Sequence, residues 1–345
     1  MLTVLKEARM ADGKLLRVTR FRPPGEYPLA MWRYLMEAFK CDDHRRNFIQ
    51  HAYWRLDYRE RLDGHYADYT EDNFYCAQVD DVYAASLWFG YSKRSGRGNF
   101  GNVYTMPAYR RRGLMTELLL PCVEEFAASQ AKMLCCSSGN PYAVVSYCKA
   151  GFRLIYGGEK GPLCLMKTDE APNFLAAAEQ AFAGKSIALL RPGHPGDQFD
   201  CDKFLYYTPS IYQGGRHVRR GPAAQTPDYR FALQEVIQGN GVQLVAENAA
   251  GTIVGYAHAL RLQDYGILDF TVHGDYIDAA TELIQATASA FKAKMNMSMF
   301  FFAAPTDQEK ISLVERSGGI PAGKLPGALG SGDRVADLLV FKIDG

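Results

Sequence analysis

Apolar residues along the first half of the chain alternate between two spacings, and that alternation predicts an ordered set of elements. Leu15-Leu16-Arg17-Val18 is a strand. Leu29, Trp32, Leu35, Met36 and Phe39 recur at helical spacing, and a second, charged and aromatic helix is expected over Asp42 to Leu62. Phe74 to Val79 and Val82 to Tyr91 then form a hairpin around Asp80-Asp81, and Ser95 to Gly98 turns the chain into a strand at Val103 to Met106. A helix follows with Leu114, Leu118, Cys122 and Phe126 on one face, in which Pro121 should produce a kink. Met133 to Ser137 is a buried strand. Asn140 and Pro141 start a helix that stops near Gly151, because Asn is a good N-cap and Pro suits the first helical position. Phe152 to Ile155 and Leu163 to Met166 complete the unit as strands.

Past Thr168 the pattern changes. Residues 169–184 read as an alanine-rich linking helix, and the same order of elements then begins again. Strands are expected at Ser186 to Leu190, Val242 to Glu247, Ile253 to Leu260, Ile267 to Val272, Ser298 to Phe302 and Ala336 to Ile343. Helices are expected at Ala279 to Lys292 and Asp307 to Arg316. Thr281-Glu282-Leu283-Ile284 echoes Thr116-Glu117-Leu118-Leu119. The expected organisation is therefore α/β, an α+β arrangement with mixed sheets. One domain covers 1–168 and a diverged repeat of it covers 185–345.

The segment with the most chemistry is Tyr109-Arg110-Arg111-Arg112-Gly113-Leu114-Met115-Thr116. It joins a strand to a helix, so it presents backbone N–H groups without intrahelical partners at the positive end of a helix. That is a phosphate site, and the consecutive arginines add charge suited to a pyrophosphate. Another glycine pattern, Gly96-Arg97-Gly98-Asn99-Phe100-Gly101, fits a dinucleotide loop by spacing only. A strand rather than a helix follows it, which marks a hairpin turn.

Two patterns resemble the GNAT family of acetyl-CoA-dependent N-acetyltransferases. Arg110 and Gly113 match its Q/R-x-x-G-x-G/A loop, with Met115 where Gly or Ala is usual. Asn140, Ala143, Tyr147, Gly151 and Phe152 match its second signature. The resemblance implies a tandem GNAT acyl-CoA N-acyltransferase fold with specific motifs in the first half alone. It also implies acetyl-CoA as co-substrate, held by Tyr104, Thr105, Met106, Arg110, Arg111, Arg112, Gly113, Leu114, Met115, Thr116 and Asn140. Two splayed strands at Tyr104 and Cys135 would leave the amides of Tyr104, Thr105 and Met106 free for the acetyl carbonyl. Tyr147 would protonate the leaving thiolate.

The activity so implied is direct transfer of an acetyl group to the primary amine of a small molecule. A non-catalytic acyl-CoA sensor, or an aminoacyl transferase of tandem type, is the alternative. No general base is evident: Asp68, Glu71 and Asp72 read as solvated loop acids, and His44 and His51 as surface residues. Asp57, Glu60 and Asp63 are candidates for attracting a cationic amine. In the repeat, Asp275, Tyr276, Ile277 and Asp278 fall where Arg110 to Gly113 lie, and Val314 falls where Tyr147 lies. One coenzyme A site per chain is the consequence, with the second domain serving packing, acceptor selection or association, a homodimer included.

Composition narrows the class without changing it. Hydrophobic residues are 48% and charged residues 22% of 345, and the formal net charge of +1 gives no nucleic-acid footprint. No stretch is long and apolar enough for a membrane span, and no signal-peptide pattern is evident. The 8 cysteines lack metal-type spacing, so no metal is expected, and a reducing, cytoplasmic setting is.

Overall fold

The computed structural model describes residues 1–37, 56–156, 158–167, 171–202, 229–331 and 334–343. The chain divides into two compact units, Met1–Ala177 and Ala178–Gly345. His44 and His51 lie outside the described residues, as does most of the charged helix expected from Asp42; only 56–62 of it is described, and it is helical (α2).

The first unit is built on strands β1 (Leu2–Arg9), β2 (Leu15–Phe21), β3 (Thr70–Val79), β4 (Val82–Ser92), β5 (Arg97–Thr105), β6 (Met133–Ser138), β7 (Arg153–Leu154) and β8 (Gly161–Met166). They form one sheet in the order β1-β2-β3-β4-β5-β6-β8-β7. All neighbours are antiparallel except β5 and β6. The Asp80-Asp81 hairpin turn is as expected, with both residues at positive φ (48° and 65°), the conformation a two-residue hairpin needs. The sequence reading lacked β1. It is an edge strand, largely exposed and carrying Lys6, Glu7 and Arg9, so it has little of the alternation that marks a half-buried strand.

Helix α1 (Leu29–Glu37) buries Met31 and Leu35, while Leu29 at the start of its predicted apolar face is exposed. Helix α3 (Leu114–Ala128) buries Leu114, Leu118, Cys122 and Phe126 as expected, and Leu119 beside them. They join a core with Tyr75, Leu87, Phe89, Phe100 and Leu134 from the sheet. Ion pairs fix α3 across the first strands: Lys6 with Glu117, and Arg20 and Arg22 with Glu125. Helix α4 (Pro141–Lys149) starts on Asn140, whose Oδ1 accepts from the Tyr142 amide at 3.0 Å.

In the second unit, strands β9 (Leu189–Pro192), β10 (Gly241–Glu247), β11 (Ile253–Leu262), β12 (Tyr265–Val272), β13 (Met299–Ala303), β14 (Gly319–Ser331) and β15 (Arg334–Ile343) form a sheet in the order β14-β15-β13-β12-β11-β10-β9. Helix α5 (Phe174–Ala181) contains the division between the units. Short α6 (Gln198–Cys201), α7 (Tyr229–Ile237), α8 (Ala280–Met295) and α9 (Gln308–Arg316) complete the helices. Strand β14 was not expected, since its sequence holds several Gly and Pro. As an edge strand with register shifts it accommodates prolines that an interior strand would not. As in the first unit, a single parallel pair (β12 with β13) sits among antiparallel ones, which fits a tandem GNAT arrangement. No helix among the described residues is long and apolar enough to cross a membrane.

Candidate active site

The arginine loop begins where β5 ends. Pro107–Tyr109 make a single 3-10 turn, closed by the Tyr109 amide on Met106 O at 2.9 Å and the Arg110 amide on Pro107 O at 3.3 Å. Arg111 then sits at φ 63° and Gly113 at φ 77°. A side chain at φ > 0 costs energy, so Gly suits position 113, while Arg111 holds a conformation that L-residues avoid. Alternating handedness curls successive amides into a concave surface, a geometry that suits an anion. On the far side the Thr116 and Glu117 amides both bond Gly113 O, at 2.9 and 3.2 Å. Among the described residues, the amides of Arg111, Arg112, Gly113, Leu114 and Met115 find no partner. Thr116 was expected among the backbone donors; its amide is committed to the first turn of α3, and only its hydroxyl stays available.

The three arginines hold different positions. Arg110 Nε donates to Thr105 O at 3.0 Å, tying the loop back to its strand. Arg112 pairs with Asp12 at 3.0 Å and lies over the Tyr109 ring, 5.6 Å from its centroid. Arg111 is exposed. Met115 packs against the hydrophobic core.

Beside the loop the sheet opens. Strands β5 and β6 pair at Arg97↔Met133, Gly98↔Leu134 and Asn99↔Cys135, and there the pairing ends, although both strands continue. The cause lies on the other side of β5. Its register against β4 steps from Trp88↔Gly101 to Ser86↔Tyr104, so β5 carries one extra residue, and Asn102 within that bulge has φ 53°. A bulge bends its strand, here as β5 parts from β6.

The three amides expected to be free divide by the pleat. Met106 N donates to Ala84 O at 2.9 Å. Ser86↔Tyr104 and Ala85↔Thr105 continue the same register. Antiparallel ladders alternate, so the Tyr104 amide also turns to β4 and the Thr105 amide turns to the gap. The expectation for Tyr104 and Met106 is corrected accordingly: both amides still belong to the β4 ladder.

Tyr147 stands at the foot of the gap. Its ring meets Phe100 edge-on at 5.2 Å, and Phe100 is the first β5 residue past the last rung. It is 6% exposed. Burial, with a smaller contribution from the Cys136 thiol, pushes its pKa well above the usual tyrosine value, so the phenol keeps its proton. Its hydroxyl has no hydrogen-bond partner among the described residues. The Asn140 carbonyl oxygen is taken by the helix cap.

The acids behave differently from the sequence reading. Asp72 is not a solvated loop acid. It lies on β3, 5% exposed, accepting from Thr70 Oγ1 (2.6 Å), Trp88 Nε1 (2.9 Å) and Arg61 Nη1 (3.4 Å). Burial raises its pKa, opposed first by Arg61. Asp57 is also buried, on Arg61 Nε at 3.1 Å. Glu60 meets His65, Asp63 meets Tyr27 and Arg59, and Glu71 meets Arg22. Asp68 is exposed.

In the second unit the parallel pair also parts before its strands end. Pairing of β12 with β13 stops at Ile267↔Phe300. Just beyond, Phe270 and Phe301 stack at 5.8 Å, with the Lys310 ammonium 5.0 and 5.7 Å from their centroids and 2.7 Å from Asp269 Oδ1. The segment matching the arginine loop is a 3-10 turn, Gly274–Ala279, that runs straight into α8. Tyr276 in it is fully buried, and its hydroxyl donates to Ala183 O at 3.0 Å. Asp278 is exposed and pairs with Arg316, and Val314 is buried.

His258, across from Asp269 on β11, is 2% exposed, and neither ring nitrogen has a hydrogen-bond partner among the described residues. Burial lowers its pKa from 6.5 to about 4; Asp269 opposes that drop and Lys310 adds to it. The unfolded chain therefore binds a proton below pH 6.5 that the native chain refuses until about pH 4, and stability falls through that window as pH drops. At pH 5 hydrogen-exchange protection of β11, corrected for intrinsic rates, should be roughly 30-fold lower than at pH 7.5, and His258→Gln should abolish that loss. Equal pH sensitivity in the variant would contradict the assignment.

The family comparison falls on the first unit. The model of the acetyltransferase (GNAT) family matches residues 32–152, a range that holds the loop, the gap and Tyr147. Among solved structures, an N-acetyltransferase from Staphylococcus aureus Mu50 is 21% identical, over 45% of this chain and 97% of that one, with a TM-score of 0.35. A spermidine N-acetyltransferase from Vibrio cholerae, in complex with CoA and spermine, is 14% identical over 45% and 94%, with a TM-score of 0.35. A phosphinothricin acetyltransferase from Sinorhizobium meliloti, in complex with acetyl-CoA, is 19% identical over 45% and 86%, with a TM-score of 0.34. No curated protein matches the chain. Residues 32–152, which hold the arginine loop and the splayed strands, match the acetyltransferase (GNAT) family.

Proposed function

We propose that the first unit transfers an acetyl group from acetyl-CoA to the primary amine of a small molecule by direct attack. The observation that carries this reading is the run of unpartnered amides from Arg111 to Met115 beside a strand that parts from its neighbour. Such donors at a helix start fit a pyrophosphate, and Arg111 and Arg112 add charge at its rim.

The chain's own residues then divide the work. The Thr105 amide, turned to the gap, donates to the thioester carbonyl and to the oxyanion that forms there. The amine nitrogen bonds to the carbonyl carbon as the carbon–sulfur bond breaks. Tyr147, protonated throughout the working range, gives its proton to the leaving sulfur. The proton lost by the amine passes to water, since Asp57 and Asp72 are both held by Arg61. The second unit takes no coenzyme A on this reading, since a 3-10 turn carrying Asp275 and Asp278 stands where the first unit has its arginine loop.

Release of free thiol from acetyl-CoA tests the reading directly, against a panel of amines, amino acids, polyamines and aminoglycosides. Amine-dependent release is expected. Tight acetyl-CoA binding without release for any acceptor would favour a sensor.

A further inference from the structure

On the far side of β6 from the gap, β6 and β8 bring two cysteines face to face. Cys135 and Cys164 are partners in a ladder of six pairs whose register does not shift. Directly opposed residues of antiparallel strands have Cα atoms about 4.5–5.5 Å apart, inside the range of about 4.4–6.8 Å that a disulfide spans. Both residues are thiols, 1% and 3% exposed. The Cys135 thiol donates to Cys164 Sγ at 3.6 Å, and the Cys164 thiol to Leu165 O at 3.7 Å. The sulfurs are already in contact on a fixed ladder, so a bond between them needs side-chain rotation and no change of register.

We infer that Cys135 and Cys164 are a reversible dithiol–disulfide pair, oxidised by a hydroperoxide, that clamps the segment carrying Tyr147. Cys164 is the first nucleophile. Its sulfur accepts the Cys135 hydrogen bond, which favours the thiolate. Its outer neighbour in the sheet is β7, a strand of two residues that pairs at Arg153↔Cys164 and Leu154↔Leu163, so little ladder has to open to admit a small oxidant. The Cys164 thiolate attacks one peroxide oxygen, the O–O bond breaks, and the sulfur becomes a sulfenic acid. The other oxygen leaves as hydroxide and takes up the proton that the thiol released. The Cys135 sulfur then attacks the Cys164 sulfur and expels the sulfenic oxygen, which leaves as water with the Cys135 proton. Two thiols and one hydrogen peroxide give one disulfide and two waters, and the two electrons lost by sulfur go to the peroxide. The bond joins residues 29 apart and encloses α4 with Tyr147. A crosslink restricts the opened states of the segment it closes, so α4 opens less often in the oxidised chain. Cys135 also makes the last β5–β6 rung, with Asn99, and the clamp therefore acts where the gap begins. The pair stands on the geometry of β6 and β8 and would hold whatever the first unit transfers.

Hydrogen peroxide treatment of the full chain, read by mass spectrometry without reductant, tests this. The wild type should become about 2 Da lighter, and fragment ions of its tryptic digest should join Cys135 to Cys164, a link that dithiothreitol removes. Cys135→Ser and Cys164→Ser should each lose the link, while Cys136→Ser keeps it. Hydrogen exchange over 141–149 should be at least about fivefold slower in the oxidised wild type than in the reduced one, and peroxide should leave it unchanged in Cys164→Ser. No link in the wild-type digest, sulfinic acid in its place, or a link through Cys136 would overturn the pair. Equal exchange of α4 in linked and reduced wild type would overturn the clamp.

Discussion

Tyr147→Phe should lower turnover by roughly 100-fold while leaving acetyl-CoA affinity within about twofold, because it removes a single proton donor and keeps the ring. The two effects separate on structural grounds. The Tyr147 ring packs on Phe100 and Phe152, so phenylalanine keeps those contacts and the core stays filled. Its hydroxyl bonds nothing in the described protein, so its loss leaves no stranded partner. A thiolate departing without a proton must then be protonated by water in a largely dry gap. Burial holds the phenol well above its ordinary pKa, so the wild-type rate should show no alkaline fall from Tyr147 below about pH 10. Rapid-quench measurement of the acetyl-transfer step in wild type and variant reads this directly. An unchanged transfer rate would remove Tyr147 from the chemistry.

Replacing Arg111 and Arg112 by Glu together should weaken acetyl-CoA binding by at least about tenfold. The loop amides would remain, since they depend on the backbone at Arg111 and Gly113. What changes is the charge at the rim: two cations become two anions beside a ligand that carries several negative charges. Exposed charges are screened, so the loss should shrink as salt rises. Arg112 is also paired with Asp12, and a glutamate there repels it; the Asp12→Ala variant measures that local part separately. Binding unaffected in the double variant at low salt would contradict the loop assignment.

The order of elements in the first unit was legible because its signals are local. Asp80-Asp81 names its own turn, Asn140-Pro141 its own helix start, and Gly113 the residue that lets the loop turn. The edges were not legible. Strand β1 is charged and β14 is rich in Gly and Pro, and each pairs with one neighbour only. For the candidate site the segments were legible, but not which way each amide turns. That Thr105 and not Met106 turns its amide to the gap depends on the pairing register with β4, which a bulge at Asn102 sets. Asp72 looked like a loop acid because Glu71, Asp72 and Asn73 break the apolar run of β3. Its partners Arg61 and Trp88 are far along the chain. Asp275 and Asp278 were expected to face a phosphate position in the second unit; both are exposed, and Asp278 lies beside Arg316. Lys310 and the Phe270–Phe301 stack come together from three separate elements and so have no linear signature.

The most direct test of the central claim is a calorimetric titration of acetyl-CoA into the full chain at low salt. The account predicts saturation at one acetyl-CoA per chain, with affinity lost in the Arg111→Glu, Arg112→Glu variant. Saturation at two per chain, or a single site that the variant leaves untouched, would contradict it.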